Sequence, residues 1–229
     1  MSYTYKMIIA YDGTDFYGWQ RTPPLPTIEE SLEKALTEIL GDVPFLQAAS
    51  RTDRGVHAEG QVVTFSTEKK LESKQLLRRL TALLPDSIAI KSFTEISGHF
   101  HPTLDALSKE YIYTIDSNAV DNPLLGKYAW HFAYPLLLAK MRAAGDQICA
   151  LDDFALFGEK SEGIKLYSIT IIENRGIIKI ALHGNRFLYK MVRKIVGKLA
   201  YIGAGKTSSI QDPAIIAPAH GLTLSRILY

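Results

Sequence analysis

The sequence predicts an α+β fold made of two halves, each combining an antiparallel sheet with helices. Three observations lead to this prediction. Residues 3–11 alternate in polarity with a period of two, which is typical of a strand with one buried face. Strand-like and helix-like segments then alternate up to residue 94, and a second round begins after Gly98. With 229 residues, the chain is long enough for one large domain or two small ones.

The first half is predicted to contain three strands and two helices. Thr27 begins the first helix as an N-cap, with Glu30 in the position of a capping box, and Gly41 ends it. The second helix is expected over residues 73–84, because Pro85 cannot continue it. The strands are expected at residues 3–11, 61–66 and 88–94.

The second half is predicted to contain a strand, a helix, a hairpin and a long final helix. These elements are expected at 109–116, 137–148, 167–173 with 177–183, and 187–202. Asn174-Arg175-Gly176 supplies the hairpin turn. An apolar stripe that starts at Leu188 marks the buried face of the final helix and leaves its basic residues off that face. The predicted domains are therefore residues 1–98 and 99–229.

Composition excludes several classes of protein. Hydrophobic residues make up 47% and charged residues 22%, which is the balance of a globular chain and not of a disordered one. The single cysteine excludes an internal disulfide and a cysteine-based metal cluster. The apolar runs are too short to span a bilayer, and the first ten residues lack a signal-peptide pattern. We therefore expect a cytoplasmic protein that does not bind membranes.

The basic residues are concentrated in one stretch of the chain. Residues 174–211 contain eight of the 26 Lys and Arg residues and none of the 24 Asp and Glu residues. Such a concentration favours a phosphate-rich partner on one face of the protein. A solvated helix surface explains the same pattern equally well, so a second signal is needed.

The stretch from Ala49 to Ala58 is the candidate functional loop. Polar, charged and glycine residues are crowded there between apolar segments, with Asp53 in the middle. Loops on a rigid scaffold often carry catalytic residues. From spacing alone, an ordinary turn with a structural aspartate is the simpler interpretation. Only the complete sequence of these ten residues favours a functional loop.

Six stretches, taken together and in order, indicate a family. They are Tyr11–Thr14 with Phe16, Gly18, Trp19 and Gln20; Arg51–Ala58; Phe100-His101 with Lys109–Tyr113; Asp153-Phe154 with Phe157; Gly184 and Phe187–Arg193 with Ile195–Gly197; and Ala217–Leu224. In these stretches the chain resembles the tRNA pseudouridine synthase A family, whose usual catalytic string is Gly-Arg-Thr-Asp-Ala-Gly-Val-His-Ala. The resemblance covers essentially the whole chain. Ser50 and Arg54 stand where that string has glycine and alanine.

The resemblance implies the pseudouridine synthase fold, in which two ferredoxin-like halves form one continuous antiparallel sheet flanked by helices, with a central basic cleft. It implies an isomerase that breaks the bond from the ribose to the uracil nitrogen and remakes it to carbon 5 of the same base. Asp53 would act either as a nucleophile or as a base at the sugar, and the sequence leaves both routes open.

The resemblance also assigns roles to four other residues. Arg193 would keep Asp53 ionised, because burial alone raises the pKa of a carboxyl group. Tyr111 would stack on the target base, and removal of the proton from carbon 5 is a second, catalytic role open to it. Leu188 would pack beneath the base, although both residues also suit ordinary core positions. Arg51 would help to hold the base out of its helix, since a stacked base cannot be reached.

The partners implied by the resemblance are a tRNA and a second copy of the chain. The family modifies uridines 38, 39 and 40 of the anticodon stem-loop, in standard tRNA numbering, and bacterial members act as homodimers. Neither a metal nor a small-molecule cofactor is expected. Lys190, Lys194 and Lys198 are expected to contact phosphates and to make binding sensitive to salt.

Two other functions stay open on the sequence alone. One is a tRNA-binding protein of the same fold without catalysis, and the other is a glycosidase-like enzyme, which would need a second acid. Two local patterns are rejected. Gly205-Lys206-Thr207 resembles the end of a phosphate-binding loop, but the first glycine of that motif would fall on Ala200. His99 and His101 lack a third metal ligand at a suitable spacing.

Overall fold

A computed structural model describes residues 2–159 and 162–229, which form nine strands and four α-helices. The α+β class predicted from the sequence is confirmed. The described chain divides into two compact units, one of residues up to Leu107 together with Leu224–Tyr229, the other of Ser108–Thr223. The sequence-based division after residue 98 stays a prediction. It differs from these units in its boundary, which lies nine residues before Ser108, and in the placement of the last six residues.

The first unit is built on a sheet with two helices. Its elements are β1 (Tyr3–Tyr11), α1 (Ile28–Leu40), β2 (Gln47–Ala48), β3 (His57–Thr67), α2 (Ser73–Leu83) and β4 (Ile88–Ile96). β1 lies between β3 and β4 and is antiparallel to both, and β2 pairs with β3. The predicted order of strand, helix, strand, helix and strand is confirmed, with the short β2 added between α1 and β3.

Alternate residues of β1 form the core of this unit. Tyr5, Met7 and Ile9 are at most 1% exposed, as the alternating pattern predicts. The ring of Tyr5 stacks on Phe93 of β4 with centroids 4.8 Å apart, and it lies 5.7 Å from the ring of Phe65 in β3. Stacked and tilted aromatic rings at these distances add to the free energy gained by burying their area.

Both predicted ends of α1 are confirmed. The hydroxyl of Thr27 accepts a hydrogen bond from the backbone N–H of Glu30 at 3.3 Å. Gly41 ends the helix with φ of 87°, a left-handed conformation that glycine adopts at little cost. After Gly41 the chain continues to β2 and then to the candidate loop.

The second unit contains a three-stranded antiparallel sheet and two helices. Its elements are β5 (Ser108–Asp116), β6 (Trp130–His131), α3 (Leu138–Cys149), β7 (Leu166–Asn174), β8 (Ile177–Gly184) and α4 (Met191–Gly203), followed by β9 (Leu222–Leu228), which enters the first unit. β8 lies between β5 and β7, and β6 runs parallel to β5. The predicted hairpin is confirmed. Arg175 and Gly176 both have positive φ, as a two-residue primed turn requires.

The final helix begins later than predicted. It was expected from residue 187, but α4 starts at Met191 and is preceded by Lys190 with φ of 58°. A residue in the left-handed region cannot continue a right-handed helix, so residues 187–189 belong to a loop. The spacing of Leu188 continues the apolar pattern of the helix, so the sequence predicts one more helical turn. An apolar residue in a loop at this spacing gives the same pattern.

The prediction that Lys198 lies off the buried face of α4 is wrong. Lys198 is only 5% exposed, and ten of the 13 residues of α4 are buried. A later segment packs against α4 at the neighbouring Gly197. A Cβ on Gly197 would lie 1.8 Å from the carbonyl oxygen of Ile215, which shows how closely the two backbones pack. In the described residues, no helix is both long and apolar enough to cross a membrane.

Candidate active site

The loop around Asp53 is tied to the chain segment that follows β1. The backbone N–H of Trp19 donates to the carbonyl of Thr52 at 3.0 Å. The N–H of Gly55 donates to the carbonyl of Phe16 at 3.2 Å. Because these hydrogen bonds lie on both sides of Asp53, the backbone that carries its carboxylate is held at a defined position.

Gly18 allows the two segments to approach this closely. Its φ is 94°, and a Cβ at this position would lie 2.6 Å from the carbonyl oxygen of Thr52 and 3.1 Å from the carbonyl carbon of Asp53. Only glycine satisfies both the left-handed backbone and the short distance. The glycine of the opening sequence motif therefore has a direct structural role beside Asp53.

Asp53 begins a tight turn. The N–H of Val56 donates to the carbonyl of Asp53 at 3.1 Å, and Gly55 inside the turn has φ of 75°. Gly13 supports the turn from one side, since a Cβ there would lie 2.1 Å from the carbonyl oxygen of Val56. Asp53 itself is half-buried. This turn is the ordinary structural feature that spacing alone suggested, and it also holds the aspartate at a partly exposed position.

The buried side chains of Tyr11 and Gln61 hold the start of the loop. The hydroxyl groups of Tyr11 and Thr52 lie 2.8 Å apart. Gln61, which is fully buried in β3, donates from Nε2 to the carbonyl of Ser50 at 2.5 Å and accepts from its N–H at 3.2 Å. Sequence reasoning missed Gln61, because its partner is 11 residues away along the chain.

The buried imidazole of His57 joins the loop to the turn after β1. The backbone N–H of Gly13 donates to His57 Nδ1 at 3.1 Å. Nδ1 therefore accepts this hydrogen bond. The carboxylate of Asp12 lies 3.2 Å from the same nitrogen and accepts a hydrogen bond from the N–H of Thr14 at 3.0 Å. The ring of His57 thus contacts both Gly13 and Asp12 of the turn after β1.

The two arginines of the loop are both exposed. Among the described residues, no hydrogen bond or ion pair involves the side chain of Arg51. The guanidinium of Arg54 lies over the ring of Tyr17, 4.1 Å from its centroid. The predicted RNA-binding side chain of Arg51 is thus accessible on the surface of the first unit.

In the second unit, Tyr111 and Leu188 are positioned by aromatic residues and a close glycine contact. Tyr111, on β5, is 6% exposed and meets the edge of the Phe187 ring with centroids 5.1 Å apart. Leu188, the next residue, packs on Gly158, where a Cβ would lie 3.0 Å from Leu188 Cδ1. The structure therefore packs Tyr111 against Phe187 and packs Leu188, the residue after Phe187, on Gly158.

The predicted Asp-Phe-x-x-Phe stretch explains why Gly158 is at that position. Phe154 and Phe157 are each 1% exposed, with Phe154 directly before a short 3-10 helix and Phe157 at its end. The carboxylate of Asp153 accepts from the N–H of Ala155 at 3.0 Å and caps this turn. Two buried rings therefore anchor the segment that supports Leu188.

Arg193 is held by the segment that follows α4. Its Nε donates to the carbonyl of Ala217 at 2.7 Å, and the N–H of Ala217 donates to the carbonyl of Arg193 at 3.0 Å. The hydroxyl of Tyr113 donates to the next carbonyl, that of Pro218, at 2.8 Å. Burial raises the pKa of Tyr113, while the positive charge of Arg193 acts in the opposite direction. Arg193 is thus half-buried beside a neutral phenol.

The three lysines predicted to contact phosphates have different environments. Lys190 Nζ lies 4.6 Å from the ring centroid of Tyr189, which is 71% exposed. Lys194 Nζ donates to the carbonyl of Phe157 at 2.8 Å. Burial lowers the pKa of Lys198, although the charge of Asp212 acts to raise it. Of the three, Lys190 is the one placed beside an exposed aromatic ring. The phosphate contacts stay predictions.

Within residues 2–159 and 162–229, no group of three or more His, Cys, Asp or Glu side chains is placed to hold a metal ion. His101 instead accepts through Nδ1 from the backbone N–H groups of Thr103 and Leu104, each at 3.2 Å.

Comparison with known proteins gives consistent matches. A family model described as tRNA pseudouridine synthase matches residues 7–103 and 152–229. A protein of Protochlamydia amoebophila named tRNA pseudouridine synthase A 2 is 40% identical, over 98% of this chain and 93% of that protein. Proteins named tRNA pseudouridine synthase A match from Thermoanaerobacter sp., at 35% identity over 97% and 98% of the two chains, and from Latilactobacillus sakei, at 34% identity over the whole of both.

Proposed function

Because the chain belongs to the tRNA pseudouridine synthase family, we propose that it isomerises uridine to pseudouridine in tRNA with Asp53 as the catalytic carboxylate. The observation that carries the assignment to Asp53 is the turn in which it lies. Hydrogen bonds from Trp19 and Gly55 fix the backbone on both sides of this one half-buried carboxylate. Preorganisation of this kind is what positions a reacting group.

The reaction rearranges bonds within one nucleotide. The bond between ribose C1′ and uracil N1 breaks, the uracil turns, and a bond forms between C1′ and C5. The proton on C5 is lost and N1 gains a proton, so the composition of the nucleotide is unchanged. The carboxylate of Asp53 begins this sequence, either by attack at C1′ or by removing a proton from the sugar.

Other residues of the two units support this chemistry in our proposal. Arg193 supplies a positive charge that favours the ionised carboxylate of Asp53. Tyr111 and Leu188 contact the uracil ring, and the contact of Tyr111 with Phe187, the residue before Leu188, supports this role. Arg51 contacts the RNA from which the uridine is extruded, and its accessible guanidinium supports this.

The substrate and the assembly are proposed more specifically than the family name states. We assign uridines 38, 39 and 40 of the anticodon stem-loop as targets and a homodimer as the active form. Stem-loops that carry a single uridine at each position test the first proposal. Sedimentation of the pure protein with and without tRNA tests the second, and a monomer in both conditions contradicts it.

The deciding experiment compares wild type with Asp53→Asn on an anticodon stem-loop in the presence of EDTA. Wild type is expected to form pseudouridine, whereas Asp53→Asn is expected to bind within a few-fold of wild type and to form none. Asn keeps the size of the side chain but removes its charge, so the comparison isolates the carboxylate. Equal turnover by both proteins contradicts the assignment of Asp53.

The same assay separates the alternative functions. Release of free uracil indicates the glycosidase-like reaction. Tight binding by wild type without any product indicates a tRNA-binding protein that is not an enzyme.

A further inference from the structure

Arg54 forms an ordered pair with an exposed aromatic residue next to Asp53. Its guanidinium carbon lies 4.1 Å from the centroid of the Tyr17 ring, and the Tyr17 residue is 39% exposed. A guanidinium over an aromatic face at this distance is a stabilising cation–π arrangement. Arg54 directly follows Asp53, so the pair lies beside the proposed catalytic carboxylate.

The backbone of the loop determines this pair. Gly18, which follows Tyr17, packs so closely that a Cβ there would lie 3.2 Å from the backbone nitrogen of Arg54. The backbone N–H of Tyr17 donates to the carbonyl of Pro26 at 2.9 Å, which fixes the tyrosine from the other side. The two side chains therefore start from neighbouring, fixed backbone positions, and their stacking follows from the construction of the loop.

The stacked guanidinium keeps its hydrogen-bond donors available. Within residues 2–159 and 162–229, the side chain of Arg54 makes no hydrogen bond and no ion pair, including with Asp53. Stacking uses the face of the guanidinium and leaves its N–H groups at the edge, where a planar fork matches two oxygens of a phosphate.

We propose that Arg54, held in place by Tyr17, binds a backbone phosphate of the RNA strand beside the target uridine. The inference rests on the proposed function, because the uridine must come to Asp53 for its phosphates to come to Arg54. A phosphate is favoured over a base edge because every nucleotide next to the target carries one. Tyr17 is then a positioning residue that acts through Arg54.

The first test measures the binding of a fluorescently labelled anticodon stem-loop at several salt concentrations. Arg54→Ala is expected to weaken binding about tenfold, the effect of losing a charge-assisted hydrogen bond at an exposed site. The slope of log Kd against log salt concentration should fall by about 0.7, the value for one phosphate contact in single-stranded RNA. Arg54→Lys should keep most of this slope but regain only part of the affinity, because lysine lacks the planar fork.

Arg78→Ala is the matched control. Arg78 is an exposed arginine on α2, so its removal changes the net charge of the protein equally. It should leave the affinity and the salt slope unchanged. If Arg78→Ala and Arg54→Ala have the same effect, the change reflects overall charge and the proposal is wrong.

The second test is a double-mutant cycle with Tyr17→Leu. If Tyr17 acts through Arg54, Tyr17→Leu should weaken binding by less than Arg54→Ala, and the double variant should bind like Arg54→Ala alone. Additive losses would mean that Tyr17 contacts the RNA independently, which contradicts its positioning role. Thermal unfolding of each variant shows whether it is folded.

Turnover separates this inference from the proposed function. Under the inference, Arg54→Ala raises KM more than it lowers kcat, because phosphate binding is lost and the carboxylate is kept. An active wild type with unchanged KM and salt slope in Arg54→Ala contradicts the inference and leaves the function standing. A wild type that binds the stem-loop but forms no pseudouridine contradicts the function.

Discussion

The side-chain oxygens of Tyr11 and Thr52 lie 2.8 Å apart and are joined by a buried hydrogen bond. Tyr11 is the last residue of β1, and Thr52 directly precedes Asp53. The pairing of β1 with β3 shifts register between Ile9 and Tyr11, so Tyr11 lies just beyond an irregularity at the end of the strand. The bond therefore connects the end of β1 with the candidate catalytic loop.

Tyr11→Phe removes this bond and leaves the Thr52 hydroxyl without that partner. We expect the free energy of unfolding to fall by about 1–3 kcal/mol, the cost of an unsatisfied buried polar group. The value of kcat should fall more than KM rises, because the backbone next to Asp53 becomes less well held. Denaturant unfolding and steady-state kinetics measure both effects.

The double variant Tyr11→Phe with Thr52→Val is the control for this prediction. It replaces both partners with apolar groups of similar shape and should cost less stability than the sum of the two single changes. Strict additivity would show that the two side chains do not interact.

Gly18→Ala is expected to be strongly destabilising, and Gly98→Ala is its matched control. Both glycines have φ near 95°, but a Cβ on Gly98 meets nothing within 4 Å, whereas one on Gly18 lies 2.6 Å from the Thr52 carbonyl. Gly98→Ala should cost about 1–2 kcal/mol for the left-handed backbone alone. Gly18→Ala should cost about 1–3 kcal/mol more because of the overlap, and it should abolish turnover. Equal unfolding free energies in the two variants would contradict the close approach seen at Gly18.

Gly158→Ala should impair turnover while leaving the fold intact. The added Cβ would lie 3.0 Å from Leu188 Cδ1, so this half-buried side chain must shift by a few tenths of an ångström. We expect kcat to fall about three- to tenfold, since small misplacements of substrate-positioning groups are costly. The melting temperature should change little. Gly126→Ala, where the nearest atom is 3.7 Å away, should behave as wild type in both assays.

Lys198→Met should stabilise the protein most at pH values well below the ordinary lysine pKa. Burial lowers the pKa of Lys198 in the folded protein below its ordinary value of 10.5. The unfolded chain therefore binds more protons between these two pKa values, so the stability of wild type rises with pH through that window. Met fills a similar volume without a charge, and Asp212 stays bonded to the N–H groups of Ser208 and Ser209 at 3.0 Å. Unfolding free energies at about pH 8 and pH 10 should show the advantage of Lys198→Met shrinking as pH rises. A growing advantage would contradict the lowered pKa.

The same variant, compared with Lys190→Met, tests the lysines for RNA binding. Both changes remove one positive charge from neighbouring parts of the sequence. Lys198→Met should leave the salt dependence of stem-loop binding unchanged, because this side chain is buried. Lys190→Met should lower the salt slope by about 0.7 if Lys190 contacts a phosphate. A lower salt slope in Lys198→Met would contradict this expectation and support the prediction that Lys198 contacts a phosphate.

Elements specified by neighbouring residues were predictable. Thr27 and Gly41 mark the ends of α1, and Arg175-Gly176 marks the hairpin of β7 and β8, because capping and turn formation depend on a few adjacent residues. β3 extends four residues before its predicted start. Tyr11 pairs with Ala58 there, and such long-range pairing leaves no apolar alternation in His57–Gly60. The start of α4 was also missed, because nothing in the sequence indicates that Lys190 has a left-handed backbone.

By itself, the sequence determined the α+β class, the family resemblance and the choice of Asp53, because these depend on residue order and local chemistry. Only the tertiary structure showed that Lys198 is buried, and that the ring of Tyr17 lies against the guanidinium of Arg54. The contact between Tyr17 and Arg54 joins residues far apart in the chain. Burial and side-chain stacking are properties of that packing, so one residue's identity and spacing do not reveal them.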